Sequence, residues 1–323
     1  MSTEQQIPDP VTDNAAYVRA VHDKGLGFDL RTMSRRKMLG GISSVFLLAA
    51  CGSTSDSTSS GSSTTSSGIT EIETETNGPY PADGTNGVDV RTESGIVRSD
   101  ITSSFGDSTT TAEGVPLTIE FTITDLSGAP ISGAAVYVWH CDRDGNYSLY
   151  TEGITQENYL RGIQATDANG LASFTSIYPA CYSGRWPHIH FEVYSSVEDA
   201  TSGEGTIRKT SQMAMPEDIN DLVYATDGYS KSVSNLSQVT IADDNVFGDD
   251  DAATEMATAT GSVSKGYVAK LTAAIDITGK DDAAAAPVGG EGQGGTPPGG
   301  PEGGAGGTPP SGAPQPTATA SAS

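Results

Sequence analysis

Between residues 69 and 280 short runs of alternating apolar and polar side chains end repeatedly at turn clusters. This pattern limits the fold more than any other property of the chain. In Pro116-Leu-Thr-Ile-Glu-Phe-Thr-Ile-Thr124 the apolar residues recur every second position, the period of a strand with one face buried. Asp125-Leu-Ser-Gly-Ala-Pro130 is a turn cluster, after which Ile131-Ser-Gly-Ala-Ala-Val-Tyr-Val-Trp-His140 resumes the alternation and stops at Asp142-Arg-Asp-Gly145. Asp167-Ala-Asn-Gly170 is a further turn, followed by Leu171-Ala-Ser-Phe-Thr-Ser-Ile177. His188-Ile-His-Phe-Glu-Val-Tyr194 and Gly266-Tyr-Val-Ala-Lys-Leu-Thr-Ala-Ala-Ile275 read as later strands. One short helix is expected near residues 216–223, where Pro216 followed by Glu217 and Asp218 suits a helix start. Many short strands separated by turns predict an all-β domain, a β-sandwich with long loops.

The flanks carry a different chemistry. Residues 38–50, MLGGISSVFLLAA, form an apolar run too short for a membrane-spanning helix but of signal-peptide length. Arg35-Arg36 precedes it and resembles a twin-arginine export signal, and Leu48-Ala49-Ala50-Cys51 resembles a lipoprotein box. Residues 1–51 therefore read as an export region with Cys51 as the lipidation site, on an exported protein anchored to the extracytoplasmic side of a membrane. A buried apolar helix with a chance cysteine is the alternative. Residues 52–68 are Ser, Thr and Gly apart from Asp56 and read as a flexible tether. Residues 281–323, rich in Gly, Pro and Ala, read as a disordered tail; glycine there lacks the three-residue period of collagen.

The net charge of the 323 residues is −24. The first 51 residues hold six of the 17 Lys/Arg and five of the 41 Asp/Glu, so the remainder carries eleven basic against 36 acidic residues, a net of −25. A surface of this sign disfavours nucleic acid and anionic lipid, leaving the lipid anchor as the one expected membrane contact. With Cys51 assigned to lipid, Cys141 and Cys181 remain; an exported location permits a disulfide between them, with two separate buried thiols as the alternative.

His188-Ile189-His190 lies on an alternating segment, so both imidazoles point to one face and can reach one point in space. Alone, this pair fits a metal site or two hydrogen-bonded histidines. Tyr182 lies six residues upstream in a loop containing Pro179, Gly184 and Pro187, and Arg185 stands three residues before His188. Tyr147 ends a Gly145-Asn146-Tyr147 turn, and spacing alone does not join it to the histidines; it is equally an ordinary sheet aromatic. For Arg185 the alternative is a structural pairing with a carboxylate.

Six elements in order change the weight of these residues. They are Asn77-Gly-Pro-Tyr80, Val97-Arg-Ser-Asp-Ile101, residues 134–147 (AAVYVWHCDRDGNY), residues 160–170 (LRGIQATDANG), Pro179-Ala-Cys-Tyr182 with Arg185-Trp-Pro-His-Ile-His190, and Ser211-Gln212. Together they resemble the intradiol ring-cleavage dioxygenases, the family of catechol and protocatechuate dioxygenases, along most of residues 69–280. The resemblance implies an immunoglobulin- or prealbumin-like β-sandwich. It also implies a non-haem Fe(III) centre held by Tyr147, Tyr182, His188 and His190. Phenolate is a hard anionic donor that suits ferric iron, and two tyrosines are unusual for zinc. The implied substrates are a small aromatic diol and O2, the implied product a muconate-type diacid. Arg185 and Gln212 are implied to steady and orient the substrate, and Tyr182 to serve also as a base. The connection from Tyr182 to His188 is shorter than in the aromatic-degrading members and no N-terminal helical dimerisation segment is evident, so the resemblance is to an exported subgroup. It assigns neither the oligomeric state nor the particular aromatic.

Two other functions fit parts of the pattern. A surface lipoprotein that captures metal or phenols without turnover needs His188 and His190 but not Arg185 and Gln212. A structural spacer built on a sandwich has no need for Tyr147 and Tyr182 to converge on the histidines.

Overall fold

The computed structural model describes residues 69–279. The expected export region with Arg35, Arg36 and Cys51, and the expected tether and tail, lie outside them. Among the described residues there are eight strands: β1 (Pro116–Thr124), β2 (Ala135–Trp139), β3 (Arg161–Ala165), β4 (Leu171–Ile177), β5 (His188–Tyr194), β6 (Ile207–Ala214), β7 (Thr258–Ser262) and β8 (Gly266–Ala274). They form two four-stranded sheets, ordered β4-β1-β8-β7 and β3-β2-β5-β6. β1 and β8 pair in parallel, and the other pairings are antiparallel. Among the described residues no helix is long and apolar enough to cross a membrane.

The alternation along β1 sets the packing. Leu117, Ile119, Phe121 and Ile123 turn inward and are buried, while Thr118, Glu120 and Thr122 are half-buried. Their cluster also takes Val136 and Val138 from β2, Ile189, Phe191 and Val193 from β5, and Met213 from β6. The apolar faces of both sheets thus share one core, and the Phe121 and Phe191 rings meet at 4.6 Å.

β5 is buried along its whole length rather than on one face. Its second face, bearing His188, His190, Glu192 and Tyr194, is covered by long loops instead of solvent. A separate apolar cluster there joins Ala82, Val90 and Ile96 to Tyr137, Trp139, Tyr147, Tyr150 and Tyr194. The loops thereby bury the two histidines in a layer outside the second sheet.

The expected single helix is α2 (Glu217–Tyr224), with Pro216 at its N-cap and acidic residues in its first turn. Two more short helices accompany it, α1 (Val197–Thr201) and α3 (Ser230–Leu236), with a 3-10 turn at Phe247–Asp249. In α1 the Ser196 hydroxyl accepts from the Asp199 N–H, satisfying one of the donors a helix start leaves open. The disulfide expectation is corrected: Cys141 and Cys181 are free, buried thiols. The Cys141 sulfur faces the Ala180 carbonyl at 3.7 Å and that of Cys181 faces the Arg185 carbonyl at 3.4 Å. Each acts as a small apolar side chain with a weak donor, and burial pushes the Cys181 thiol up to about 12.

Candidate metal centre

The two histidines open β5, where the antiparallel register sets His190 between Trp139 of β2 and Gln212 of β6. Trp139 lies flat on the His190 imidazole, with ring centres 4.9 Å apart and planes 3° from parallel. Gly78 closes the other approach: a Cβ there would meet His190 Cε1 at 3.2 Å, and its φ of +69° is a conformation other residues rarely adopt. Tyr147 follows the turn after β2, in which the Asp142 carboxylate accepts from the Asp144 and Asn146 N–H groups. Gly145 in that turn lets the chain approach Tyr182, whose Cβ would lie 3.2 Å from a Cβ at this position.

These placements bring Tyr147, Tyr182, His188 and His190 into one cluster. Tyr182 Oη and His190 Nε2 each lie 3.2 Å from His188 Nε2. The Tyr147 ring centre is 6.1 Å from that of Tyr182 and 6.3 Å from that of His190. The His188 Nδ1–H donates to the Trp186 carbonyl at 2.6 Å, which leaves the Nε2 lone pair facing the cluster. That lone pair is approached by both a phenol and a second imidazole nitrogen, more than one acceptor site can satisfy. The buried Tyr147 hydroxyl has no hydrogen-bond partner, nor does His190 Nδ1. Orphaned buried groups of this kind call for an explanation. Two imidazole nitrogens and two phenol oxygens turned toward one another suit a hard metal cation. Among the described residues no three His, Cys, Asp or Glu side chains come together for a metal, so this capacity rests on the tyrosines.

Arg185 and Gln212 stand beside the cluster as one unit. Arg185 Nη2 donates to Gln212 Oε1 at 2.7 Å, and Gln212 Nε2 donates to the Thr76 carbonyl at 2.8 Å. Arg185 is also ion-paired at 3.0 Å with Asp244, a fully buried carboxylate that further accepts from the Trp186, Val246 and Phe247 N–H groups. The structural pairing for Arg185 is therefore present. Sequence reasoning missed Asp244, Trp139 and Gly78. The glycine stands inside the Asn77-Gly-Pro-Tyr80 element, which is its one available signal; nothing in spacing marks Asp244 among its acidic neighbours.

Burial and the nearby Arg185 charge push His188 down to about 3, and burial with His188 alongside holds His190 far below its ordinary value. Burial, then the adjacent Tyr182 phenol, pushes Tyr147 well up. Without a metal, both imidazoles are neutral when folded and take up protons near pH ~6.5 when unfolded. Their contribution is present above that value and lost as pH falls toward the folded values. Against a variant carrying His188→Gln and His190→Gln, the metal-free parent is expected to lose urea stability between pH 7 and 5; the difference isolates the histidines from the buried Glu192 and Glu255 carboxyls, whose raised values act in the opposite direction. A difference that does not change with pH would contradict this burial account.

Comparison with known proteins adds family information for part of the chain. A family model described as "Dioxygenase" matches residues 97–189, less than half of the chain. The chlorocatechol 1,2-dioxygenase of Rhodococcus opacus is 40% identical over 60 residues, covering 19% of this chain and 23% of that protein. The hydroxyquinol 1,2-dioxygenase of Corynebacterium glutamicum is 36% identical over 106 residues, covering 27% of this chain and 35% of its own length. The chain thus spans about a quarter to a third of the length of these relatives. In three dimensions, the intradiol ring-cleavage dioxygenase from Tetranychus urticae matches with a TM-score of 0.54 at 22% identity, over 67% of this chain and 98% of that chain. The described residues share its fold.

Proposed function

We propose that this protein is an Fe(III)-dependent intradiol dioxygenase that opens a catechol-type ring between its two hydroxyl-bearing carbons, adding both atoms of O2 to give a muconate-type diacid. The observation that carries the reading is the convergence of two phenols and two imidazoles in a buried layer, with the Tyr147 hydroxyl left without a partner. Tyr147, Tyr182, His188 and His190 are the proposed ligands. Bound ferric iron supplies Lewis-acid activation of the aromatic diol toward O2. We also read the two sheets as the immunoglobulin- or prealbumin-like sandwich of that family.

The protein's own groups have distinct tasks in this reading. Tyr182 is half-buried whereas Tyr147 is sealed, so Tyr182 is the phenolate better placed to take a proton from an incoming diol. Trp139 and Gly78 hold His190 and exclude water from that side. Arg185 shares its charge with Asp244, so its task is local: it fixes the Gln212 amide and presents a polar edge to negative charge developing on the ring.

The test is visible absorption of the iron-loaded protein, together with oxygen uptake on catechol, protocatechuate, hydroxyquinol and larger plant-derived catechols. A phenolate-to-iron charge-transfer colour is expected, weakened or lost in Tyr182→Phe. A colourless protein with full iron occupancy overturns the ligand set.

The export region supports a placement outside the cytoplasm, with Arg35-Arg36 as twin-arginine signal and a lipid on Cys51. Cys51→Ser is expected to move the protein from the membrane fraction to the soluble one. Its continued retention in membranes would remove the anchor from the proposal.

A further inference from the structure

Arg161, the first residue of β3, is 1% exposed, and among the described residues no carboxylate pairs with it. A buried guanidinium without a counter-charge is costly and persists only where its donors are met. All its partners here are neutral. Nε donates to Ser148 Oγ at 3.1 Å; Nη1 donates to the Pro81 carbonyl at 3.0 Å and Tyr137 Oη at 3.3 Å. Nη2 donates to the Tyr80 carbonyl at 2.9 Å and the Ser148 carbonyl at 3.0 Å.

Most of these acceptors come from two stretches far apart in sequence, and both border the tyrosine–histidine cluster. Ser148 directly follows Tyr147. Tyr80 lays its ring on that of Tyr147 at 4.8 Å, and Gly78, two residues earlier, packs on His190. The same stretch is tied down around the guanidinium. Tyr137 Oη donates to the Pro81 carbonyl at 2.7 Å, and Tyr150 Oη accepts from the Ala82 N–H at 2.8 Å. The guanidinium lies 5.4 Å from the centre of the Tyr150 ring, which in turn packs on Tyr80.

We infer that Arg161 is the positioning residue of the centre: it pins residues 78–82 as a fixed cap over Tyr147 and His190. An arginine that only filled space would not need to join the turn carrying one phenol to the segment covering it. Lysine retains the charge but has three donors on a single point, so it cannot span the Tyr80, Pro81 and Ser148 carbonyls together. This inference rests on the proposed ligand set, and its first readout is independent of iron.

The experiment compares the full chain with Arg161→Lys and Arg161→Met by amide hydrogen exchange in the metal-free state, and by the rate at which a chelator removes iron from the loaded state. For Arg161→Lys, exchange in residues 80–90 is expected to rise about tenfold while β1 and β8 are unchanged, the scale of one lost hydrogen bond to a charged group. Iron extraction is expected to accelerate about tenfold for the same reason, with Arg161→Met beyond both. Exchange and extraction within about twofold of the parent, or a rise spread evenly over both sheets, overturn the clamp. Should neither Arg161 variant fold, Tyr137→Phe removes the hydroxyl between Arg161 and Pro81, and the same local rise in exchange decides the matter. If the parent takes up no iron yet Arg161→Lys loosens residues 80–90, the clamp stands and the iron assignment falls. If iron binds with the expected colour and neither rate moves, the clamp falls alone.

Discussion

Asp244→Ala should lower the unfolding free energy by about 3–5 kcal/mol, the range for removing one partner of a buried ion pair. The size follows from what the carboxylate holds. It receives Arg185 Nε at 3.0 Å and the N–H groups of Trp186, Val246 and Phe247 at 2.6, 2.8 and 3.1 Å. Alanine would leave a buried guanidinium without its counter-charge and three backbone donors without their acceptor. Asp244→Asn, which keeps an acceptor but not the charge, should fall between. Burial by itself would raise the Asp244 carboxyl, but Arg185 and the backbone N–H groups outweigh it and hold the group below its ordinary value. The charged form is therefore the one the fold favours. Its contribution is present above the unfolded value near pH ~3.9 and is lost as pH falls through the lower folded value. Urea unfolding should show the full gap between Asp244→Asn and the parent at pH 7 and a narrowing gap below pH ~4. A gap that does not narrow would mean that the loss comes from shape rather than charge. Because the Trp186 carbonyl steadies His188, Asp244→Ala should also bind iron less completely.

Tyr147→Phe is expected to move stability and activity in opposite directions. The Tyr147 hydroxyl is buried without a partner, so deleting it should stabilise the metal-free domain by about 1–3 kcal/mol, the desolvation cost of an unsatisfied polar group. The same substitution removes a proposed iron ligand. If the metal supplies several kcal/mol of transition-state stabilisation, turnover should fall about a thousandfold. Thermal unfolding of metal-free protein, iron content and oxygen uptake measure the three effects. A destabilised metal-free Tyr147→Phe would show that the hydroxyl is satisfied within the protein, and the metal assignment would lose its main support. The expected crossover is the usual signature of a group retained for a site rather than for folding.

What was legible in the sequence depended on whether a residue's role was local. β1 and β8 alternate visibly because one face of each packs on the core, and Pro216 with two acidic residues marked α2. β6 reads as polar, Ile207-Arg-Lys-Thr-Ser-Gln-Met-Ala214, yet Lys209 to Ala214 are buried. Their polar groups find partners from distant segments: Lys209 meets Glu71 at 2.9 Å and Gln212 meets Arg185. No local pattern announces such partners. β7, Thr258-Ala-Thr-Gly-Ser262, is a mostly exposed edge of small residues with no apolar period to read. The same division holds at the centre. His188 and His190 were legible from a two-residue spacing, and Tyr182 from the loop beside them. Tyr147 came only from the resemblance, since 41 residues separate it from His188. Asp244 and Arg161 matter through three-dimensional hydrogen bonds that leave no periodic trace.

β1 and β8 also bear on how the chain is made. They pair in parallel from Leu117 with Tyr267 to Thr124 with Ala274, so the central contact of the first sheet joins residues about 150 positions apart. Until residue 274 has left the ribosome, β1 exposes an unfilled edge flanked by apolar side chains, an invitation to mispairing. Such high contact order makes folding slow and late, because loop-closure entropy must be met before the pairing returns any energy. The order of events follows: the first sheet is completed after synthesis of the domain, and a chain stopped before β8 should aggregate rather than wait.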